Sequence, residues 1–166
     1  MDYVIDVLPA ADIDRLEPLW LELLDHHLRD APQLAALGPA RSPDDSWRVR
    51  RSQYLRWLAA PLATVLVARR DGRFLGYAVV RATDDAGSWQ WGDRVGVLET
   101  LVISDDARGA GIGRALLAAA RERLADWGVR VMKISVVAGN EGALRFYHRE
   151  GATDFLQTLV VAVEGA

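Results

Sequence analysis

The stretch from Leu98 to Leu117 constrains this chain more than any other. It runs Leu-Glu-Thr-Leu-Val-Ile-Ser-Asp-Asp-Ala-Arg-Gly-Ala-Gly-Ile-Gly-Arg-Ala-Leu-Leu: a β-forming run, a polar loop with glycines at 109, 111 and 113, then an amphipathic helix. Glycines without a Cβ let the backbone approach a ligand, and the N–H groups at a helix start have no intrahelical acceptor. Together they suit an anion, and Arg108 and Arg114 flank this one. A diphosphate carries the charge such a place favours. Two familiar diphosphate loops are excluded. The nucleotide P-loop needs Gly-Lys-Ser/Thr, and Arg114-Ala115 follows Gly113. The dinucleotide fingerprint needs a glycine three positions after its second, where this chain has Arg114 or Leu116. A plain glycine-rich turn between a strand and a packed helix would share the same spacing.

The rest of the chain predicts what surrounds this segment. Tyr3–Leu8 reads as a short strand stopped by Pro9. Ile13, Leu16, Leu19 or Trp20, Leu23 and Leu24 make one apolar stripe of a helix from about Ala11 to Leu28. Ala31–Asp45 reads as a proline-containing loop, and a second helix follows from about Asp45 to Ala59. Thr64–Ala68 and Phe74–Val80 flank Asp71-Gly72, a hairpin signal because a type I′ turn needs positive φ at both central residues. Asp84–Ser88 is a loop and Arg94–Ile103 a further strand. Ile112, Leu116, Ala120, Leu124 and Trp127 mark a helix ended by Gly128. Val129–Val137 is apolar enough for a strand covered on both faces. A short helix from Gly139-Asn140 to about Glu150 precedes a last strand, Phe155–Val163. The pattern predicts a single mixed α/β (α+β) domain over residues 1–166, with a mixed, mostly antiparallel sheet and about four helices.

Composition narrows the function. With a formal charge of −3 and a pI of about 5.6, the chain lacks the basic excess that binds a phosphate backbone, so nucleic acid is not an expected partner. No apolar run reaches bilayer length and no signal peptide stands at the start, so no membrane partner and a cytoplasmic location are expected. The absence of cysteine removes disulfides, thiolate metal sites and a cysteine nucleophile. His26, His27 and His148 make a poor metal set, and no metal is expected. Lys133 is the one lysine among twenty basic residues, an arginine and alanine bias of the kind seen in GC-rich bacterial genomes.

Two motifs in register carry a resemblance. Arg108-Gly-Ala-Gly-Ile-Gly113 resembles the Gln/Arg-x-x-Gly-x-Gly loop of the GNAT acetyltransferase superfamily. Asn140-Glu-Gly-Ala-Leu-Arg-Phe-Tyr-His-Arg-Glu-Gly151 is similar to that family's second signature, an asparagine, a small residue, then a tyrosine near the end of a short helix and a glycine. The interval between them holds one helix and one strand, as in the family, and the likeness extends over essentially the whole chain.

The resemblance implies an acetyl-CoA-dependent N-acyltransferase acting on a primary amine of a small molecule or peptide by direct attack in a ternary complex. It implies that the backbone of Gly109, Ala110, Gly111, Ile112, Gly113 and Arg114, with Arg108 beside it, holds the CoA diphosphate. The strand Leu101-Val102-Ile103 would bulge and splay from its neighbour, with the pantetheine arm bonded at Leu101 and Ile103. An amide near Leu101 would polarise the thioester carbonyl, a role worth about 3 kcal/mol. Asn140 would bond near the pantetheine, although a plain helix N-cap looks the same. Tyr147 would protonate the departing thiolate; a core aromatic beside Phe146 is the other reading. Glu99, a charge in a β-forming run with the strand parity of Leu101 and Ile103, would take the amine proton, unless it is an edge-exposed or salt-bridged carboxylate.

Ribosomal-protein-type relatives place a glutamate where this chain has Ser135, which counts against that substrate class. The acceptor pocket is expected between the two N-terminal helices and the Trp89–Trp91 segment, with Trp20, Asp25, His26, His27, Asp30 and Asp93 as candidates; solvated faces and core packing explain most of these equally well. Only one strand fits after Gly151 where many relatives have two, so monomer and homodimer both stay open. A non-catalytic acyl-CoA sensor is the alternative, which would need neither Tyr147 nor Glu99.

Overall fold

A computed structural model describes residues 2–85 and 87–163; Met1, residues 164–166 and Ala86 of the Asp84–Ser88 loop lie outside the description. Nine elements carry the fold: β1 (Val4–Val7), α1 (Glu17–Asp30), α2 (Pro43–Leu58), β2 (Ala63–Arg70), β3 (Arg73–Asp84), β4 (Arg94–Ile103), α3 (Ile112–Asp126), β5 (Met132–Ile134) and α4 (Glu141–Arg149). Three 3-10 turns join them, at Ala10–Leu16, Pro32–Leu37 and Asp105–Ala107. The first expected helix is therefore split. Its N-terminal third winds as 3-10, and the α-helix begins at Glu17 with Pro18 in its first turn, where a missing N–H costs nothing.

The five strands lie in chain order, antiparallel from β1 to β4 and parallel between β4 and β5. This is the mixed, mostly antiparallel sheet that the pattern predicts. The β2–β3 hairpin turns at Asp71 and Gly72 with φ of 51° and 78°, the pair of positive values a type I′ turn requires. Alternation then sorts side chains to two faces. Leu66, Ala68, Ala78, Val80 and Leu98 pack against Ile112, Leu116, Leu117, Ala120 and Leu124 of α3 and Tyr147 of α4. Val65, Val67, Tyr77, Val79 and Val102 pack against Ile13, Leu16, Leu19, Trp20, Trp47 and Tyr54 from α1, α2 and the turn before them. Leu116 and Leu117 are almost wholly buried, and each such leucine contributes about 1.5–3 kcal/mol.

Two expected strands are corrected. Val129–Val137 yields only Met132–Ile134 as strand, paired with Gly96–Leu98. Phe155–Val163 pairs with nothing among the described residues, and Leu156, Leu159, Val160, Val161 and Val163 are 64–85% exposed. Its β-forming pattern is present, but a strand needs an edge to pair with, and this segment meets none.

Candidate active site

The site begins where two strands part. β4 continues along β3 as far as Ile103, whereas its pairing with β5 stops at Leu98–Ile134. The parting coincides with a bulge. Val79 faces Thr100 and Val80 faces Leu98, so Glu99 is the extra residue of β4. One extra residue reverses the alternation. Leu98, Leu101 and Ile103 all lie on the α3 face, while Thr100 meets Tyr54 of α2 and Val102 lies in the core on that side. Glu99 goes with Thr100. Its expected parity with Leu101 and Ile103 is therefore corrected: it faces the α1–α2 side, opposite those two.

There Glu99 is mostly buried, and Arg81 Nε donates to its Oε1 at 2.6 Å. The Arg81 guanidinium in turn lies 5.2 Å from the centre of the Trp57 ring. Beside this pair, the Tyr54 hydroxyl is 2.7 Å from Thr100 Oγ1 and 3.1 Å from the Tyr77 hydroxyl. Burial raises the pKa of both tyrosines, so they serve here as neutral hydrogen-bonding groups. Sequence reasoning missed Arg81. The signal was available, because Arg81 is a charge inside a β-forming run just as Glu99 is; that the two would meet depends on the pairing of β3 with β4.

Beyond Ile103 the chain turns through Asp105–Ala107 into the glycine loop. Gly109 and Gly111 both have φ of 79°, and the space where a Cβ would stand is open at each. α3 starts after Gly111 with no side-chain cap, leaving the N–H groups of its first turn without intrahelical acceptors. Its open backbone and positive end fit a diphosphate. The flanking arginines are less free than the sequence suggests. Arg114 pairs with Glu150 at 2.8 Å, and Arg108 pairs with Asp105 at 3.0 Å while its Nη2 lies 2.6 Å from His26 Nε2. His26 also meets Asp105 at 2.9 Å, the main cause of the lowered Asp105 pKa. Histidine 26 thus fastens α1 to the loop.

α4 closes the other side. Asn140 caps it, its side-chain oxygen accepting from the Ala143 N–H at 2.9 Å, which leaves the amide NH2 to donate elsewhere. Tyr147 is buried beside Phe146, their ring centres 5.2 Å apart, on the α3 face of the sheet that also holds Leu101 and Ile103. Burial alone pushes its hydroxyl up to about 12. Both readings of Asn140 and of Tyr147 are thus compatible with one geometry.

The expected acceptor residues divide. Trp20 is core, its indole N–H donating to Ser46 Oγ at 3.1 Å. His27 is partly buried with a pKa lowered chiefly by desolvation, and Asp25 and Asp93 are exposed. Trp89 and Trp91 stack on each other, Phe155 stands edge-on to both, and Lys133 Nζ lies 5.3 Å from the Trp91 ring centre and 3.2 Å from Asp85 Oδ1. Among the described residues no cluster of histidine, acid or cysteine side chains could hold a metal ion, and no helix is long and apolar enough to cross a membrane.

Comparisons with known proteins agree with this geometry. The profile of the Acetyltransferase (GNAT) family matches residues 20–152. A mycothiol acetyltransferase of Cellulomonas flavigena is 34% identical over 105 residues, which cover 62% of this chain but only 29% of that protein's length. An uncharacterized N-acetyltransferase of Mycobacterium tuberculosis is 28% identical over 138 residues, 75% of this chain and 83% of that one. Among solved structures, the aminoglycoside N-acetyltransferase AAC(6′)-Iy in complex with CoA superposes with a TM-score of 0.73 at 17% identity, covering 98% of this chain and 95% of that one. A parted β4–β5 edge, an open glycine loop at a helix start and a family profile spanning both motifs lead to one conclusion: the chain belongs to the acetyltransferase (GNAT) family and is an N-acetyltransferase.

Proposed function

We propose that this protein transfers the acetyl group of acetyl-CoA to a primary amine of a small molecule or peptide, by direct attack in a ternary complex. The parting of β4 from β5 beside the uncapped start of α3 carries this reading. The backbone from Gly109 to Arg114 takes the diphosphate, and the main chain at Leu101 and Ile103, on the edge that β5 leaves, takes the pantetheine arm. Acetyl-CoA supplies an activated thioester carbonyl. The amine nitrogen forms the new C–N bond, the C–S bond breaks, and the sulfur leaves as thiolate.

The sheet separates the two proton-handling residues. Tyr147 lies on the α3 face and donates to the departing sulfur, while Glu99 lies on the α2 face and takes the proton released by the amine, directly or through water. Arg81 engages one carboxylate oxygen of Glu99; among the described residues no hydrogen bond engages Oε2. An ammonium with a pKa of about 10 is almost wholly protonated at neutral pH, so a carboxylate both attracts the cation and relays its proton. In solution the protein acts as a monomer or homodimer.

The test is thiol release from acetyl-CoA across a panel of amines, followed by kcat/KM for the best acceptor from pH 6 to 10. Glu99→Gln should depress the rate most at low pH, by about a hundred-fold, and recover in part as the amine deprotonates in solution. Superimposable profiles for the two proteins would remove Glu99 from the reaction. No thiol release with any amine would remove the proposed transfer to a primary amine.

A further inference from the structure

Acetyl transfer as described leaves Arg50 without a role. It stands on the inward stripe of α2 formed by Trp47, Arg50, Tyr54 and Trp57. Its guanidinium carbon lies 4.4 Å from the centre of the Trp20 ring and 5.7 Å from that of Tyr54. Nε is shielded from solvent and has no hydrogen-bond partner. Several other arginines in contact with the fold are answered by a carboxylate, Arg51 by Asp14, Arg81 by Glu99 and Arg114 by Glu150, whereas Arg15, stacked over Phe74, bonds a backbone carbonyl instead. Among the described residues no carboxylate stands within ion-pairing distance of Arg50. The Nε N–H has given up hydration without a partner, which is costly unless a bound group supplies one.

Its surroundings place it near Glu99. Tyr54, over whose ring it lies, hydrogen-bonds Thr100, the neighbour of Glu99. The Arg50 charge also helps to lower the pKa of His27 on α1, which the Asp30 charge opposes. The Asp30 carbonyl abuts Gly139 so closely that a Cβ there would collide with it, and Asn140 follows. Arg50 therefore stands over Tyr54, whose hydroxyl bonds the neighbour of Glu99, on the α1–α2 side of the sheet.

We propose that Arg50 binds an anionic group of the acceptor, a carboxylate or a phosphate, so that the amine acetylated here belongs to a molecule bearing its own negative charge. This rests on the transfer reaction proposed above. The guanidinium presents a planar fork of donors, which matches both oxyanions. An acceptor whose other groups are all cationic meets repulsion at the same place.

The experiment compares matched acceptors that differ in one charge: alanine with alaninamide, phenylalanine with phenylalaninamide, and phosphoethanolamine with ethanolamine. The ratio of kcat/KM within each pair is measured for the native protein, Arg50→Gln and Arg50→Lys. In at least one pair the native protein should favour the anionic member about ten- to a hundred-fold, as expected for hydrogen bonds to a charged group. The pair that responds separates carboxylate from phosphate. Arg50→Gln should collapse that ratio toward one through the KM of the anionic member, and Arg50→Lys should keep part of it. A native preference for the uncharged members, or a ratio that survives in both variants, overturns the proposal while leaving acetyl transfer intact. If no acceptor turns over, titration of the CoA-saturated protein with N-acetylalanine and with phosphoethanolamine decides. Binding that Arg50→Gln loses supports the anion site; equal binding, or none, overturns it.

Discussion

Three tyrosines are buried around the sheet, and their hydroxyls meet different surroundings. Those of Tyr54 and Tyr77 bond each other, and Tyr54 also bonds Thr100; that of Tyr147 has no protein partner among the described residues. A phenol raised to about 12 stays protonated at any working pH, as a donor must. It is also a weaker acid than a thiol, whose pKa is near 8.5, so in the proposed reaction complete proton transfer to the thiolate would be uphill and the assistance would be that of a hydrogen bond. Tyr147→Phe keeps the ring against Phe146 and should lower kcat by about ten- to a thousand-fold with little change in the Kd for CoA; stopped-flow measurement of the chemical step checks it, and an unchanged step would leave Tyr147 as packing. His27 gives a second residue-scale expectation. Its folded pKa lies below the ordinary 6.5 because of burial. Above that value both folded and unfolded states carry the neutral ring. Below it the unfolded state binds the proton first, so stability is lost as pH falls from about 6.5 toward the folded pKa. Chemical denaturation at pH 7.5 and 5.5 should show a smaller pH-dependent loss for His27→Gln than for the native protein.

Among the elements, the glycine loop yields the sharpest expectation. Gly111 at φ of 79° has open space beside it, so Gly111→Glu meets no clash. A side chain in the left-handed region costs about 1–2 kcal/mol, and a carboxylate at the start of α3 recovers part of that from the helix dipole. The variant should fold with a slightly lower Tm and lose the rise in Tm that acetyl-CoA gives the native protein; a retained rise would move the diphosphate off this loop. Elements with local causes were legible in the sequence: Asp71-Gly72 dictated its turn, the apolar spacing of α3 its buried face, and Asn140 its cap. Elements that depend on a distant partner were not. The apolar content of Val129–Val137 shows a segment that is covered but not how far an adjacent strand follows it. No rule of alternation foresees the bulge at Glu99, which carries that residue to the opposite face and joins it to Arg81.

For the molecule as a whole, the segment after Asp154 is the unusual feature. Five large apolar residues from Leu156 to Val163 face solvent, and the run has the β-forming character that pairs with exposed edges. Replacing Leu159 and Val161 by glutamate removes no buried contact, so Tm should hold, while light scattering at high protein concentration should fall. A Tm lowered by several degrees would mean that these side chains are covered in solution. Phe155, where this run begins, also belongs to the aromatic group that receives Lys133. That group bears on how the protein behaves toward acylating reagents in general. The chain offers a single lysine, and its ammonium is engaged by the Asp85 carboxylate and the rings of Trp91 and Phe155. Amine-directed dyes and cross-linkers accordingly have one internal address, inside that group, and acetyl-lysine detection of a peptide product has almost no background from the enzyme itself.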